Sequence, residues 1–539
     1  MTLTTSFYNW GTPSDVGDGE NVRRNSTLIC VPIMAKTVDK MLVEVRKAKQ
    51  EGADMVELRL DYLNSINPCD LQVLLEHSCL STLVTIRPTW EGGDYKGDEG
   101  VRQSALRKAM ELGADYIDVE LKVADEFFES IDGRENTKTA IIVSSHNYIN
   151  TPSVEEIGDL VARIQATGAD IVKIATTAID IVDNSRILQL LTYSQIPMIG
   201  IVMGEKGLMS RILSAKYGGF LTFATLEDRG SISAPGQPTT KDLLELYNFR
   251  QVGADTKVHG VLGNPISHSK SPHLYNVAFK SVGFNGIYLP LLVDSVSDFL
   301  RTYSSPDFVG YSYTIPHKMA GLECCDEVDP IAKAIGAISC MIKRPFDGKL
   351  IGYNIDYMGA IAAIEEGLLQ GTSNGSSTKG SPFDGKLMVV IGAGGAGKAL
   401  AYGGKSKGAR IVITDSIIEK AVDLASKVGG KVINIAELDD FAPEEGMILA
   451  NATPIGMQPD IDNMPISKKA LKHYSLVFDA IYTPKITKLL REAQKSGATI
   501  VYGTEMFINQ AFIQFEKFTG LPGEYQEINR FLLELQRNL

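Results

Sequence analysis

Short apolar segments recur along the first half of the chain, and amphipathic stretches separate them. Each segment is rich in β-branched and other apolar residues, which is typical of a buried parallel strand. Eight such segments begin at Thr27, Ala53, Thr82, Ala114, Ala140, Ala169, Ile196 and Gly219. Eight strand–helix repeats without a long interruption predict a closed (β/α)8 barrel rather than an open sheet.

The second half also alternates strands and helices, and one stretch of it carries a distinct signature. An apolar strand is expected at Leu387–Ile391, followed by a run of glycines and by a small-residue segment from Lys398 that can begin a helix. A second apolar strand over 409–414 ends in Asp415. Glycines at this spacing allow a tight turn and bring the backbone close to a pyrophosphate, which then faces the helix N-terminus. Because a strand, a helix and an acid accompany the glycines, a dinucleotide site is favoured over an ordinary glycine-rich turn.

The predicted fold class is therefore α/β, with an N-terminal (β/α)8 barrel followed by a second α/β region that contains a Rossmann fold. An amphipathic helix over 241–250 is expected to close the barrel, and 371–380 reads as an exposed Gly/Ser-rich loop. The expected segments up to this region are an N-terminal tail (1–26), the barrel (27–250) and a linker (251–257).

Composition narrows the possible partners. At 539 residues the chain is too long for a single core, and its 44% hydrophobic content is that of a soluble globular protein with no apolar run long enough to span a membrane. The net charge is −12 and no basic stretch is present, so we expect neither nucleic acid nor an anionic membrane as a partner. Small-molecule substrates and a monomeric protein are expected instead.

Cysteine usage and the first residues bear on the compartment. The six cysteines show neither a CxxC pair nor a secreted-type framework, which indicates reduced thiols in a cytosol-like compartment. The first 24 residues contain Asp15, Asp18 and Glu20, whereas a transit peptide is poor in acids. We therefore expect a cytosolic protein, or a chloroplast protein whose recorded chain begins after a cleavage point.

The polar residues of chemical interest in the first half lie at the predicted carboxyl ends of strands, where barrels carry their chemistry. Lys173 lies between β-branched residues, so burial is expected to lower its pKa and to free its amine for attack on a carbonyl, which gives a Schiff base. His146 could then take a proton from the carbon next to the iminium. A lysine that reaches solvent from a strand end and a merely packed histidine are the simpler alternatives. The sequence places both Lys173 and His146 at strand ends together with Glu57, Arg59, Arg87, Glu91 and Arg211. This joint occurrence favours a catalytic site in which the arginines hold a carboxylate.

Six motifs in this half resemble the type I 3-dehydroquinate dehydratases. They are ELR at Glu57, RPTWEGG at Arg87, SSHNY at Ser144, VKIA at Val172, SR at Ser210 and SAPGQ at Ser233, and together they cover about residues 27–245. The resemblance implies dehydration of 3-dehydroquinate to 3-dehydroshikimate without a metal. It implies a Schiff-base role for Lys173, general acid/base catalysis by His146 and support of the histidine by Glu91. The implied substrate-binding residues are Glu57, Arg59, Arg87, Arg211, Ser233 and Gln237.

In the second half, hydroxyl-rich and proline-broken turns precede predicted helices. Ser269 and Ser271 bracket Lys270 before a helix whose N-terminal amides favour an anion, although either serine could simply cap that helix. Lys318 and Asp356 follow separate strands and could share a cleft, where they would move a proton to or from a hydroxyl during oxidation. A surface salt bridge between them is the simpler alternative.

Seven motifs of this half, SHSKSP, YTIPHK, NIDYMG, GAGGAGK, NATPIGM, YTP and EMFINQA, resemble shikimate dehydrogenases over about residues 257–530. With the barrel in front, the chain resembles the bifunctional plant enzymes of the shikimate pathway, so the second half is expected to be a two-lobed α/β dehydrogenase. The resemblance implies a first, substrate-binding lobe (258–365), a C-terminal Rossmann lobe (383–508) and C-terminal helices (509–539) that pack back on the first lobe. The resemblance implies Lys318 and Asp356 as the catalytic pair. Implied substrate-binding residues are Ser269, Ser271, Thr314, Ser339, Tyr482 and Gln510, and implied cofactor-binding residues are Gly392, Ala393, Gly394, Gly395, Ala396, Gly397, Asp415, Thr453 and Gly503.

The chain departs from that family pattern at informative positions. Ser339 replaces an asparagine that holds ring hydroxyls, Ile355 replaces a threonine and Asn509 replaces a glycine. After the second Rossmann strand the family has Asn-Arg-Thr, whose arginine binds the 2′-phosphate of NADP, whereas this chain has Asp415 followed by Ser416. A carboxylate accepts hydrogen bonds from the ribose hydroxyls of NAD and repels a 2′-phosphate, so we expect NAD to be preferred over NADP.

Three functional hypotheses follow for the second half. It could be an ordinary NADP-dependent shikimate dehydrogenase, an NAD-linked dehydrogenase of quinate and/or shikimate, or a degraded binding domain beside an active dehydratase. Retention of Lys318, Asp356 and Thr314 argues against the degraded domain. The change at Asp415 favours the NAD-linked enzyme.

Overall fold

The computed structural model describes residues 25–131, 137–227, 236–267, 269–370 and 380–521. These residues form two compact units, which are described separately. One contains residues 25–260 and 264–308, and the other contains residues 261–263 and 309–521.

Eight parallel strands form the barrel predicted from the sequence, in the order β7-β6-β5-β4-β3-β2-β1-β8. The strands are β1 (Leu28–Ile33), β2 (Met55–Arg59), β3 (Ser81–Thr85), β4 (Tyr116–Glu120), β5 (Ala140–His146), β6 (Ile171–Thr177), β7 (Met198–Met203) and β8 (Leu221–Phe223). The helices around them are α1 (Val38–Gln50), α2 (Pro68–His77), α3 (Glu99–Glu111), α4 (Leu121–Glu129), α5 (Val154–Ala166), α6 (Asn184–Tyr193) and α7 (Leu208–Ile212). Strand side chains are buried on both faces, as the continuous apolar runs require.

Five of the strands begin two residues later than the apolar runs suggested, and an Ala-Asp pair precedes three of them, β2, β4 and β6. Asp54, Asp115 and Asp170 use these positions to accept backbone hydrogen bonds at the start of the neighbouring strand. The acceptor–donor distances, to the amides of Ile29, Thr82 and Ile141, are 2.7, 2.8 and 2.8 Å. These aspartates therefore satisfy strand ends at the amino-terminal face of the barrel.

The single helix expected over 241–250 is divided. A π-helical turn covers Asp242–Leu246 and a 3-10 turn covers Phe249–Gln251. Asn248 lies between them with φ 48°, a left-handed conformation that stops a right-handed helix.

A six-stranded mixed sheet follows the barrel, in the order β10-β9-β11-β13-β14-β12. Its strands are β9 (Lys257–Gly263), β10 (Gly286–Leu292), β11 (Phe308–Tyr313), β12 (Glu327–Val328), β13 (Cys340–Lys343) and β14 (Leu350–Tyr353). The helices in this region are α8 (Ser271–Ser281), α9 (Val296–Thr302), α10 (Lys318–Glu323), α11 (Pro330–Ile335) and α12 (Asp356–Gln370). The boundary between the two compact units runs through this region.

The last sheet is parallel and has the order β17-β16-β15-β18-β19-β20, which is the arrangement of a Rossmann lobe. Its strands are β15 (Leu387–Ile391), β16 (Arg410–Thr414), β17 (Lys431–Val432), β18 (Met447–Asn451), β19 (Tyr474–Asp479) and β20 (Thr499–Val501). The helices are α13 (Gly395–Ser406), α14 (Ile418–Val428), α15 (Lys488–Lys495) and α16 (Gly503–Thr519). Apolar clusters cover both faces of the sheet, and α12 packs on α13 and α16. Among the described residues, no helix is both long and apolar enough to cross a membrane.

Candidate active sites

Lys173 lies on β6 and points into the barrel, where only 4% of the residue is exposed. Its Nζ is 2.7 Å from Oδ2 of Asp118 and 3.6 Å from Oε1 of Glu57. The ring of Phe223 lies 4.9 Å away. The amine that the sequence placed in an apolar strand is therefore buried beside two carboxylates.

Asp118 is the centre of this charge network, although sequence reasoning did not single it out. Its carboxylate contacts Arg87 at 2.8 Å and accepts a 2.5 Å hydrogen bond from the Ser144 hydroxyl. Burial would raise the pKa of the Asp118 carboxyl, but the charges of Arg87 and Lys173 hold it well below its usual range. The sequence did contain a sign of this role. Asp118 and Glu120 are two residues apart on β4 and so lie on the same face of a buried strand, where two acids need cationic partners.

His146 and Glu91 form a second pair at the same end of the barrel. The imidazole Nδ1 is 3.1 Å from the Glu91 carboxylate, which also accepts the His146 backbone N–H at 2.9 Å. Burial, with the charges of Arg87 and Lys173, holds the pKa of His146 well below 6.5, so the ring is neutral near pH 7. Burial also raises the pKa of Glu91 to about 7. A tautomer with its proton on Nδ1 donates to Glu91 and keeps the Nε2 lone pair available for proton transfer.

The three candidate arginines differ in their surroundings. Arg59 forms two hydrogen bonds with Asp61, at 2.9 and 2.6 Å, and Arg87 is paired with Asp118 and with Glu120. Arg211 is 1% exposed, and no carboxylate within the described residues pairs with it. Its Nε has no partner there, and burial lowers the pKa of the guanidinium to about 10. An unpaired buried guanidinium is suited to binding a carboxylate.

Two other predicted residues of this centre complete the description. Gln237 is buried, and Glu57 accepts a 2.9 Å hydrogen bond from the Thr85 hydroxyl. Ser233 lies outside the described residues.

Ser269 and Ser271, which were predicted to bind the dehydrogenase substrate, lie in the same compact unit as the barrel. The Ser269 hydroxyl accepts a 3.3 Å hydrogen bond from the backbone amide of Ser271, the first residue of α8.

Lys318 and Asp356 form an ion pair in the other compact unit. Each is the first residue of its helix, α10 and α12, and Asp356 is 3% exposed. A Cβ added at Gly395, at the start of α13, would lie 3.3 Å from Cδ of Lys318. Lys318 of the candidate catalytic pair therefore lies next to the candidate cofactor turn.

Four predicted substrate residues lie in this unit: Thr314, Ser339, Tyr482 and Gln510. The Ser339 hydroxyl accepts a 2.9 Å hydrogen bond from the Ile355 backbone amide, so it fixes the residue before Asp356. The Thr314 backbone amide donates to the Leu262 carbonyl at 3.0 Å. Further along the chain, Tyr482 packs on Phe507 with ring centroids 5.6 Å apart. Gln510 lies on α16, and its buried Oε1 has no partner within the described residues.

The glycine-rich turn has the geometry of a phosphate-binding turn. Gly392 has φ 99°, and a Cβ at Gly397 would lie 1.8 Å from the Gly392 carbonyl oxygen, so a side chain cannot be accommodated there. A Cβ at Gly394 would meet nothing within 4 Å. The helix that follows begins at Gly395 rather than at Lys398, which extends the expected helix by one turn.

Asp415 has a structural role that its position at the end of β16 did not reveal. One carboxylate oxygen accepts the Ala393 amide at 2.7 Å and the other accepts the Ile417 amide at 2.8 Å. Asp415, at the end of the adjacent strand β16, therefore stabilises the glycine turn through its hydrogen bond with Ala393. The other predicted cofactor residues lie in neighbouring turns: the Thr453 hydroxyl donates to Asn451 at 2.7 Å, and a Cβ at Gly503 would lie 2.6 Å from the Ile481 carbonyl oxygen.

Asp479 is a second buried acid that sequence reasoning passed over. It accepts hydrogen bonds from Asn451 at 3.1 Å, from the Ile481 amide at 3.1 Å and from the Thr487 hydroxyl at 2.6 Å. Burial raises the pKa of its carboxyl to about 6. Asp479 therefore joins the loops that follow β18 and β19.

Comparison with known proteins finds matches to both halves of the chain. The family model of type I 3-dehydroquinase matches residues 29–254, that of the shikimate dehydrogenase substrate binding domain matches residues 261–341, and that of the shikimate 5′-dehydrogenase C-terminal domain matches residues 503–530. The chain is 59% identical over 513 residues to the chloroplastic bifunctional 3-dehydroquinate dehydratase/shikimate dehydrogenase of Arabidopsis thaliana, which covers 95% of this chain and 85% of that protein.

Two further relatives are more distant. A shikimate dehydrogenase (NADP(+)) of Bacillus cereus (strain B4264) is 34% identical over 284 residues, which is 52% of this chain and 98% of the relative. The solved structure of dehydroquinate dehydratase and shikimate dehydrogenase from S. pombe is 23% identical, covers 95% of this chain and 98% of its own, and has a TM-score of 0.43.

Proposed function

This chain belongs to the family of bifunctional 3-dehydroquinate dehydratase/shikimate dehydrogenases, and we propose that the cluster around Lys173 is its dehydratase centre and the Lys318–Asp356 pair its dehydrogenase centre. The protein is a shikimate-pathway enzyme with a lyase activity and an oxidoreductase activity. The observation that carries the first assignment is a buried lysine held between two carboxylates, next to a neutral histidine.

In the dehydratase, Lys173 gives up a proton, and its amine attacks the ketone of 3-dehydroquinate; loss of water from the adduct gives an iminium. The Nε2 atom of His146 removes a proton from the carbon next to the iminium, and the resulting imidazolium protonates the departing hydroxyl. Hydrolysis of the product iminium regenerates the lysine and releases 3-dehydroshikimate. Arg211 binds the substrate carboxylate, and Glu91 orients the histidine.

Borohydride trapping tests this assignment. In the presence of 3-dehydroquinate or 3-dehydroshikimate, borohydride should reduce the iminium and leave a covalent adduct on Lys173, identified by peptide mass spectrometry. A Lys173→Met variant should neither form the adduct nor turn over. Lys122→Met is the matched control, because Lys122 is an exposed residue of α4 whose ammonium contacts the exposed Trp90 ring. An adduct on another lysine would overturn the assignment.

In the dehydrogenase, the Lys318–Asp356 pair takes up the proton of the hydroxyl that is being oxidised and returns it in the reverse reaction. The glycine turn fits a dinucleotide, because it places backbone amides at the start of the 12-residue helix α13 and leaves open space beside Gly394. When bound, a nicotinamide dinucleotide supplies the hydride acceptor. Asp356→Asn should remove this activity and leave the dehydratase intact, which separate assays of the two reactions would measure.

The preferred dinucleotide is NAD, and the substrate is quinate and/or shikimate. Asp415 supports NAD because its carboxylate lies at the end of β16, and Ser416 supplies no cation for a 2′-phosphate. The test is kcat/KM for quinate and shikimate, each with NAD and with NADP. A clear NADP preference would refute the assignment.

An ordinary NADP-dependent shikimate dehydrogenase is the second candidate, and a specific observation favours it. Burial lowers the pKa of Lys398 on α13, the charges of Lys427 and Lys420 lower it further, and the charge of Asp423 raises it. Since Asp423 pairs with Lys427, three lysines and one acid lie in this region. The B. cereus relative is also named for NADP(+). Replacing Lys420 by Met should leave kcat/KM with NAD unchanged, and a loss confined to NADP would favour this candidate.

We also propose the module boundaries, the oligomeric state and the location of the protein. The module boundaries are those expected from the sequence, with a barrel over 27–250, a first lobe over 258–365 and a Rossmann lobe over 383–508. The protein is a monomer, which light scattering would test. Its location is the chloroplast, which the name of the A. thaliana relative supports and a fluorescent fusion of the complete gene product would test.

A further inference from the structure

Two barrel loops of the dehydratase contact residues 294–303, which precede β11 and belong by sequence to the dehydrogenase half. These are the loop after β6, the strand that carries Lys173, and the loop after β7, which leads to Arg211. The contacts lie within one compact unit of the structure. A barrel that worked independently of the second half would not need them.

The first contact is a buried hydrogen bond. The Tyr303 hydroxyl donates to the Ile181 carbonyl at 2.7 Å, and Tyr303 is 4% exposed. The ring itself is held by its own module, because it packs on Phe299 and Phe308 with centroids 4.9 and 5.0 Å away. The tyrosine is therefore a fixed donor to a barrel loop.

The accepting carbonyl belongs to a hydrogen-bonded group centred on Asn184, which is fully buried. The Asn184 amide nitrogen donates to the Ile181 carbonyl at 2.7 Å and to the Lys206 carbonyl at 2.8 Å. The Asn184 oxygen accepts the Ser210 amide at 3.2 Å. Ser210 immediately precedes Arg211 on α7. A continuous series of contacts therefore joins Tyr303 to the helix that carries the unpaired arginine.

A second contact joins the loop after β7 to Asp294. The Lys206 ammonium is paired with Asp294 and also donates to the Ile179 carbonyl at 2.9 Å. The other oxygen of Asp294 accepts a 3.0 Å hydrogen bond from Asn264. Both barrel loops are thus tied to residues of the next module.

We propose that Tyr303 is a positioning residue of the dehydratase, which fixes Arg211 through Ile181 and Asn184, and that the Lys206–Asp294 pair reinforces it. The dehydratase then depends on the dehydrogenase half for the placement of its carboxylate-binding arginine. This inference rests on the proposed role of Arg211. Because Arg211 binds the ground state and the transition state alike, its displacement should change KM more than kcat.

The test is Tyr303→Phe in the full chain. This change removes the hydroxyl, keeps the ring and leaves the Ile181 carbonyl with fewer donors. The expected result is a rise of about two- to tenfold in the dehydratase KM, with kcat nearly unchanged and the dehydrogenase KM unaltered. Amide hydrogen exchange over residues 178–184 and 204–211 should become faster. Tyr474→Phe is the matched control, because it removes a buried hydroxyl that has no partner within the described residues.

A double-mutant cycle tests the second contact. Lys206→Met and Asp294→Asn should each raise the dehydratase KM by up to about fivefold, and the double variant should be no worse than either single variant. Arg211→Ala serves as the reference: if it leaves KM unchanged, the proposed role of Arg211 fails. If Arg211→Ala raises KM while Tyr303→Phe changes neither KM nor hydrogen exchange, or lowers both activities equally, the positioning role is overturned.

Discussion

In the barrel, Lys173 and Asp118 stand on strands, Arg87 follows a strand, and these charges are neutralised in pairs inside the protein, with contacts of 2.7 and 2.8 Å. In the dehydrogenase centre, one ion pair stands at two helix starts, and the neighbouring binding surface is backbone exposed by glycines. The barrel centre should therefore be sensitive to the removal of charge, and the second centre to the addition of side-chain volume.

The largest expected effect is that of Asp118→Asn. Loss of this buried carboxylate leaves Arg87 and Lys173 facing each other with less compensation, and breaking a buried ion pair costs about 3–5 kcal/mol. We expect dehydratase kcat/KM to fall by at least about a hundredfold, with the dehydrogenase little changed. The matched control is Asp125→Asn, because Asp125 is exposed on α4. Separate steady-state assays of the two reactions measure the effect, and equal loss of both activities would contradict it.

The converse experiment adds a methyl group at the glycine turn. A Cβ at Gly397 would lie 1.8 Å from the Gly392 carbonyl oxygen, so Gly397→Ala must displace the turn. We expect at least a tenfold weaker binding of the dinucleotide, measured by fluorescence titration, and an unaltered dehydratase. At Gly380 a Cβ would meet nothing within 4 Å, so Gly380→Ala is the control. Unchanged dinucleotide affinity would show that the turn is not the binding surface.

A smaller effect is expected from Glu91→Gln, through pH. Burial raises the pKa of Glu91 to about 7, so its carboxylate becomes charged as the pH rises through that value. The charged carboxylate accepts a hydrogen bond from Nδ1–H of His146, which makes Nε2 a stronger base. Dehydratase kcat/KM should therefore rise between about pH 6 and pH 8. The variant should lose this inflection and up to about tenfold in rate at pH 8. Glu155→Gln, at an exposed position on α5, should keep the wild-type profile.

The smallest expected effect concerns stability, at Asp479. Its folded-state pKa is raised to about 6, so the folded protein binds the proton more tightly than the unfolded chain does. Stability from this group is present at low pH and is lost as the pH rises from about 4 through about 6. Asp479→Asn should remove about 1 kcal/mol of that pH dependence, seen in unfolding midpoints at pH 5 and pH 7.5. Asp462→Asn, at an exposed position, should not, and an unchanged slope in Asp479→Asn would refute the prediction.

Sequence patterns predicted both architectures because their signals are local. Apolar runs and glycine spacing depend on neighbours along the chain, so the eight barrel strands and the strand at Leu387–Ile391 were placed correctly or within a few residues. The barrel's closing helix was wrong in detail because one left-handed residue, Asn248, divides it. Family resemblance pointed to Lys173, His146, Lys318 and Asp356, and their roles stay proposals.

The sequence by itself determined the two folds, their order and which residue types stand at strand ends and helix starts. Tertiary structure alone decided which charges are compensated: Asp118 stands 55 positions from Lys173 in the chain and yet lies 2.7 Å from its amine. It also distinguished Arg211, which has no acid partner within the described residues, from Arg59 and Arg87, which are paired. Electrostatic compensation depends on distance through space, and periodicity along a strand records only which face a side chain takes.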